Sequence, residues 1–429
     1  MRRFFLGVFA LCFLATGRVW AESAASGEFL KWQYKLGVDE RFRYEYKNDF
    51  DFSRSTKDDG SLMFNRVRVN LKASLTDEYL NRILDVFVEG LDAQVGSYRI
   101  KQPAQKDNFD LHQSFVDLYN VLGSPVDVKI GRQEMSYGKG RLIAAPTWAN
   151  LIRSFDAAVL HAHPGAFSVD LLYGQPVKNF AYSFDRSSDE EAIGGIYAGY
   201  RKNKMSPLWE GYFLTQVVTS GQTTVERYTF GPRLVMILPW NIALDAEAPY
   251  QFGRTAKTPI RAYAFHVDVS KTCETLFWKP KVSLSYDQAS GNKKPGGETN
   301  NTFVPLYQTT HDPYGLMDFF RWENMHNPEV SVTFFPMEKL RLIPQVDFFW
   351  LDSKYDFWYN SSGQALRTNL TGVKSSYVGC ETSLRVGYDF SKNIKAEAGY
   401  AHFFTGGYVR LTGANDDADW VYSQLTLKF

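Results

Sequence analysis

The sequence predicts an all-β fold: a transmembrane antiparallel barrel of about 18 strands, with short periplasmic turns and long extracellular loops. Three observations predict it. Polar and apolar residues alternate with period two in successive segments of about ten residues. The connections between these segments alternate between short and long. The chain also closes on a strand with an aromatic carboxyl terminus, Gln424-Leu425-Thr426-Leu427-Lys428-Phe429. Other classes are excluded on composition. With 48 Lys+Arg against 47 Asp+Glu there is no general basic surface for nucleic acid. An aromatic content of 16% is incompatible with a disordered chain.

In chain order, Met1-Arg2-Arg3, the apolar run 4–15 and Val19-Trp20-Ala21 have the layout of a secretory signal peptide, expected to span 1–21 and leave 22–429 as the barrel. The run 4–15 is shorter than the roughly 20 residues a spanning helix needs, so a helical bundle is excluded. Residues 31–47 set the strand pattern. Trp32, Tyr34, Leu36, Val38, Phe42, Tyr44 and Tyr46 alternate with Lys31, Gln33, Lys35, Asp39, Arg41, Arg43, Glu45 and Lys47. The pattern recurs at 66–75, where Val67, Val69 and Leu71 oppose Arg66, Arg68 and Lys72. It recurs again at 378–389, where Leu384 and Val386 oppose Glu381 and Arg385. The remaining strands are expected at 82–95, 110–121, 126–133, 153–162, 166–174, 191–202, 207–219, 223–236, 240–252, 258–269, 278–288, 328–335, 339–353, 393–404 and 418–429. Turns after even-numbered strands are short, as at His163-Pro164-Gly165. The opposite connections are mostly long: 48–61, 96–109, 134–152, 175–190, 289–327, 354–375 and 405–417. Lipid offers no partner to an unpaired backbone group, so such a sheet must close on itself. Closure at about 18 strands leaves an aqueous bore. Cys273 and Cys380, the two cysteines beyond the signal segment, build no disulfide framework.

If the apolar face meets lipid, the ionic face lines the bore. Arg41, Arg43, Arg66, Arg68, Lys72, Arg227, Arg233 and Arg385 fall there by parity, interspersed with Asp39, Glu45, Asp85, Glu89, Asp117 and Glu381. Such charges demand water, opposite charges or a charged solute. One segment concentrates the chemistry: Gly131-Arg132-Gln133, Tyr137-Gly138-Lys139-Gly140-Arg141-Leu142-Ile143, Trp148, Asn150, Arg153, Phe155 and Asp156. Its glycines permit a loop that folds inward, and its three arginines present planar forks suited to carboxylates. Arg132 has the parity of Ile130, so pointing it inward needs a bulge at Gly131.

These motifs resemble the bacterial outer-membrane alginate export family. The run at 131–157 carries the resemblance, together with Tyr286-Asp287-Gln288-Ala289-Ser290-Gly291, Thr302-Phe303, His311-Asp312-Pro313-Tyr314-Gly315-Leu316-Met317-Asp318 and the ending at 418–429. The resemblance implies a monomeric barrel of 18 strands whose arginine-rich constriction conducts an anionic uronic-acid polymer outward. Arg132, Arg141, Arg153 and Asp156 are carried over as motif matches, and Arg41, Arg43, Arg66, Arg68 and Arg385 join them as expected pore-lining, substrate-binding residues. Expected partners are an anionic polysaccharide or anionic solute, outer-membrane lipid and a periplasmic export complex. No cofactor, metal or catalytic residue is expected.

Two rivals are weighed. A general porin would show the same alternation without converging arginines. An outer-membrane phospholipase would use His112 and Ser114 as base and nucleophile, both expected on one strand face beside the lipid-facing Val116 and Leu118. His161 and His163 are read as a rim pair, and Asp416, Asp417 and Asp419 as a solvated acidic loop. Trp32, Trp209, Trp240 and Trp420 are read as an interfacial girdle.

Overall fold

In a computed structural model, residues 30–429 are described, save 57, 58, 102, 295, 310 and 370; the signal segment lies outside the described residues. The chain forms one antiparallel sheet that closes on itself. Its barrel strands are β1 (Lys31–Asn48), β2 (Gly60–Thr76), β3 (Arg82–Tyr98), β4 (Asp107–Leu118), β5 (Val126–Gln133) and β6 (Phe155–Ala162). There follow β7 (Phe167–Lys178), β8 (Glu191–Tyr200), β9 (Leu208–Ser220), β10 (Thr223–Leu238), β11 (Ile242–Glu247 and Tyr250–Thr255) and β12 (Thr258–Thr272). The barrel ends with β13 (Lys281–Ala289), β14 (Met325–Met337), β15 (Leu340–Trp350), β16 (Tyr377–Asp389), β17 (Ile394–Thr405) and β18 (Ala418–Lys428). Every expected strand is present. β11 is interrupted at Ala248-Pro249, where proline removes a ladder donor.

Each strand pairs with its chain neighbours, and β1 pairs with β18 from Asp39↔Lys428 to Asn48↔Asp419, so no edge is left. The faces divide as the alternation requires. On the outside, Leu36 is 52% exposed, Ile130 55% and Leu384 45%, whereas Arg41, Glu89 and Glu381 are buried inside. Among the described residues no helix is long and apolar enough to cross a membrane; the strands do the crossing.

The interior differs from the water-filled bore expected from strand number. The described residues of the connections 134–154 and 290–324, apart from the exposed stretch around 293–298, fold into the barrel and bring an apolar core with them. Ile143, Phe303, Leu316 and Trp322 are fully enclosed, and Phe320 stacks on the strand residue Phe349 at 3.8 Å between ring centres. The two segments are joined by a parallel bridge between Ile143 and Tyr307. In it, the Tyr307 amide donates to Leu142 O at 2.6 Å and the Ala144 amide to Tyr307 O at 2.8 Å. The polar alternation of the strands cannot report this, because the filling comes from connections.

Trp32, Trp209 and Trp240 are exposed as an interfacial girdle requires, but Trp420 is 2% exposed and turns inward. It alternates with the outward Val421, stacks on Tyr422 and donates from Nε1 to Glu45. Its strand parity overrides its aromatic character.

Candidate functional site

The inward arginines of β1 and β2 reach the in-folded segment 134–154 rather than open water. Arg41 donates through Nη1 to the carbonyls of Thr147 and Trp148, both at 2.8 Å, and through Nη2 to Ala149 O and Asn150 Oδ1. Arg66 donates through Nη1 to Thr147 O and Ala149 O, both at 2.9 Å. Arg43 donates to Trp148 O at 2.6 Å, while its guanidinium carbon stands 3.9 Å from the centre of the Trp148 ring. His311 stacks on the same indole at 3.8 Å between ring centres. Three planar cations on neighbouring strands thus hold four consecutive loop residues. The register explains this placement: Arg41 stands directly across from Arg66, and Arg43 lies one inward position along β1.

Carboxylates play the complementary part. Glu381 accepts the Leu316 amide at 2.5 Å and the Met317 amide at 3.3 Å, and Asp352 accepts the Gly291 amide at 3.0 Å. Arginines take loop carbonyls and acids take loop amides, so charges on the wall serve as partners for a backbone that has left the sheet.

The other expected site residues separate. Arg68 is inside, tied to Glu89 at 2.7 Å and to Glu134 at 2.8 Å. Arg385 is inside, paired with Asp312 at 2.7 Å and with Gln345. Arg141 is inside, between Glu247 at 3.3 Å and His266, whose other ring nitrogen meets Asp287 at 2.8 Å. Arg153 bonds through Nη1 to the carbonyls of Ala144, Tyr307 and Gln308, clamping the two in-folded segments together. Burial holds its guanidinium down at about 10. The three loop arginines therefore do not converge; each has its own partners.

Arg132 and Asp156 leave the pore-lining set. No bulge occurs at Gly131: the pairing runs unshifted from Leu118↔Val128 to Ser114↔Arg132 and through Arg132↔Asp156. Gly131 instead takes φ 129° beneath Ser114 O, where a Cβ would approach to 2.3 Å. Arg132 keeps the outward face of Ile130 and forks onto Asp156 at 2.8 and 3.0 Å. The connection after β7 covers the pair through Asp185 O and the Ser187 hydroxyl.

A bulge does occur in β4, between Glu89↔Gln113 and Gly90↔Leu111. It turns His112 inward onto Glu134 at 3.0 Å, whereas Ser114 keeps the parity of the exposed Val116. Sequence parity could not reveal the change, and it separates the supposed base and nucleophile. His161 and His163 are bound to Asp170 and Asp127. Asp416 accepts the Arg54 amide, Asp417 the Thr405 amide, and Asp419 bonds His402.

Two chambers flank the in-folded segment 134–154. The outer one, about 780 Å³, is walled by residues of the long connections and of upper strand ends. Its basic side chains are Arg43, Lys47, Lys101, Arg153, Lys178 and Arg321, and its acids are Glu45, Glu191 and Asp318. The inner one, about 260 Å³, lies toward the turns that follow β4 and β6. Asp117, Asp127, Glu134 and Asp170 line it with Lys129 and His161. No sequence signal marks these chambers, because their walls are assembled from up to nine separate parts of the chain.

An alginate export family model matches residues 32–422. Solved structures share the architecture. OpdO of Pseudomonas aeruginosa superposes with a TM-score of 0.61 at 13% identity, covering 92% of this chain and 97% of that one. OccAB1 of Acinetobacter baumannii gives 0.61 at 12%, covering 92% and 96%. OpdL of Pseudomonas aeruginosa gives 0.60 at 10%, covering 92% and 98%. No curated protein matches at a significant level. With the closed barrel and a family match over nearly the whole described chain, the protein belongs to the alginate export family and is a channel-type β-barrel of the bacterial outer membrane.

Proposed function

We propose that the protein passively conducts an anionic polysaccharide, an alginate-like polyuronate, or related anionic solutes, with Arg41, Arg43 and Arg66 as the constriction and Arg68, Arg141, Arg153 and Arg385 as its flanking cations. The observation that carries the reading is that these three guanidinium groups are satisfied mainly by loop carbonyls, with carboxylates beside only two of them. A carbonyl leaves the positive charge uncancelled, so an incoming carboxylate is the stronger acceptor for the same fork. Solute carboxylates would exchange with the carbonyls of 147–149, loosening the segment as they bind. Conduction needs such weak, exchangeable sites, because a tight one would hold the solute. β1 and β18 close the barrel within one chain, so a monomer suffices for the pore.

A small-solute channel is the second reading, favoured by the bridge between the two in-folded segments, which joins them inside the barrel where a polymer would have to thread. Reversal potentials under a KCl gradient in planar bilayers test the common part. Anion preference is expected, and cation preference would sink both versions. Current stimulated by polyuronate but not by short anions would separate the polymer version from the small-solute one.

A further inference from the structure

Resting on that reading and deepening it, we infer that the outer chamber is a saturable binding site for a short, carboxylate-bearing oligosaccharide reached from the outer face. Four observations carry it. Its volume of about 780 Å³ lies within the roughly 300–1,000 Å³ of ordinary small-ligand sites, large enough for a short oligosaccharide. Six basic side chains face three acidic ones in its wall, whereas four acids face one lysine and one histidine in the inner chamber. Lys178 is paired with Glu190 and Arg321 with Glu323, which leaves Arg43, Lys47, Lys101 and Arg153 against the three wall acids. An anion is therefore favoured on the outer side of segment 134–154 over the acidic inner side. Finally, the wall holds polar capacity that the protein leaves unused. Gln308 is 3% exposed, and its Nε2 donor has no partner among the described residues. Lys101 likewise carries no ion pair among them, and Arg153 bonds only through Nη1.

The chemistry follows from the set. Arg153 and Arg321 present guanidinium edges for carboxylates. Gln308 Nε2 offers an amide donor for a ring or hydroxyl oxygen. Lys101, at the mouth, supplies exposed charge for capture, and Lys178, paired with Glu190 at 2.6 Å, can exchange that partner for a ligand carboxylate. Both faces of Trp148 are occupied by Arg43 and His311, so selection rests on charge rather than on stacking of a sugar ring.

The test uses the full chain in intact cells, with Lys101→Cys labelled by a bulky, membrane-impermeant maleimide. Trigalacturonate is expected to slow labelling at least fivefold, and neutral maltotriose to leave it unchanged. The charge variants Arg321→Gln and Lys178→Gln, made separately in case the first disturbs folding, should each reduce that protection. Equal protection by the neutral sugar, no protection, or protection that survives both variants would overturn the inference. Reversal potentials of the unmodified channel keep the two claims apart. Anion preference without protection defeats the chamber alone, whereas cation preference with protection defeats the conduction reading and leaves the chamber standing.

Discussion

Removing the forks of Arg41 and Arg66 together should release segment 134–154 and raise the conductance of the channel. Seven hydrogen bonds join the three wall arginines to residues 147–150, and these two arginines make six of them. A hydrogen bond to a charged group contributes about 1.5–3 kcal/mol. The bonds on one fork are not additive, and water can replace the donors once the loop loosens. A net loss of about 2 kcal/mol per guanidinium is therefore reasonable, or about 4 kcal/mol for the pair. At 1.4 kcal/mol per factor of ten, the ratio of docked to released loop falls by roughly 10³. Single-channel recordings of Arg41→Ala/Arg66→Ala should show frequent excursions to a higher conductance, with anion preference reduced because two charges are gone. Arg41→Lys/Arg66→Lys keeps the charges but loses the planar forks, so its conductance should rise while its anion preference persists. If the Ala pair folds, as judged by heat-modifiable migration in gels, yet conducts like the unmodified protein, segment 134–154 is not held by these arginines.

Other expectations follow from the same contacts. Gly131→Val forces a β-branched residue into φ 129° and a Cβ to 2.3 Å from Ser114 O, so thermal unfolding in detergent should show a loss of about 2–4 kcal/mol. Trp322→Ala empties a fully buried site in the in-folded connection and should cost about 3–5 kcal/mol, read as a lower melting temperature and as noisier current. Glu323, in the same connection, is pushed up from 4.5 to about 7 by burial, against the opposing pull of Arg321 and Arg227. A raised carboxyl contributes stability that is complete below its unfolded value and lost as pH rises through the folded one. Melting temperature should therefore decline between pH 5 and 8, and Glu323→Gln should flatten that decline. Ser114→Ala should leave conduction unchanged in bilayers, since the hydroxyl shares the outward face of Val116 and is separated from His112 by the bulge.

Alternation of side chains by itself determined the barrel. Leu36 and Leu384 face outward and Arg41 and Glu381 inward because a strand offers two faces, and a membrane tolerates only one kind of residue on the outer one. Strand count and the sidedness of the connections followed from the same local pattern and needed no tertiary information. Only the fold decided what lies inside. Whether an inward arginine meets water, a carboxylate or a carbonyl depends on where segments 134–154 and 290–324 come to rest, and the carbonyls at 147–149 that Arg41 and Arg66 meet lie more than 80 residues from them in sequence. Gly131 without a bulge and His112 with one reversed two local readings, since parity counts residues and cannot see an extra one inserted opposite a partner strand. The wall is written in nearest-neighbour chemistry, whereas the filling and the two oppositely charged chambers arise from long-range contacts that no short window of sequence contains.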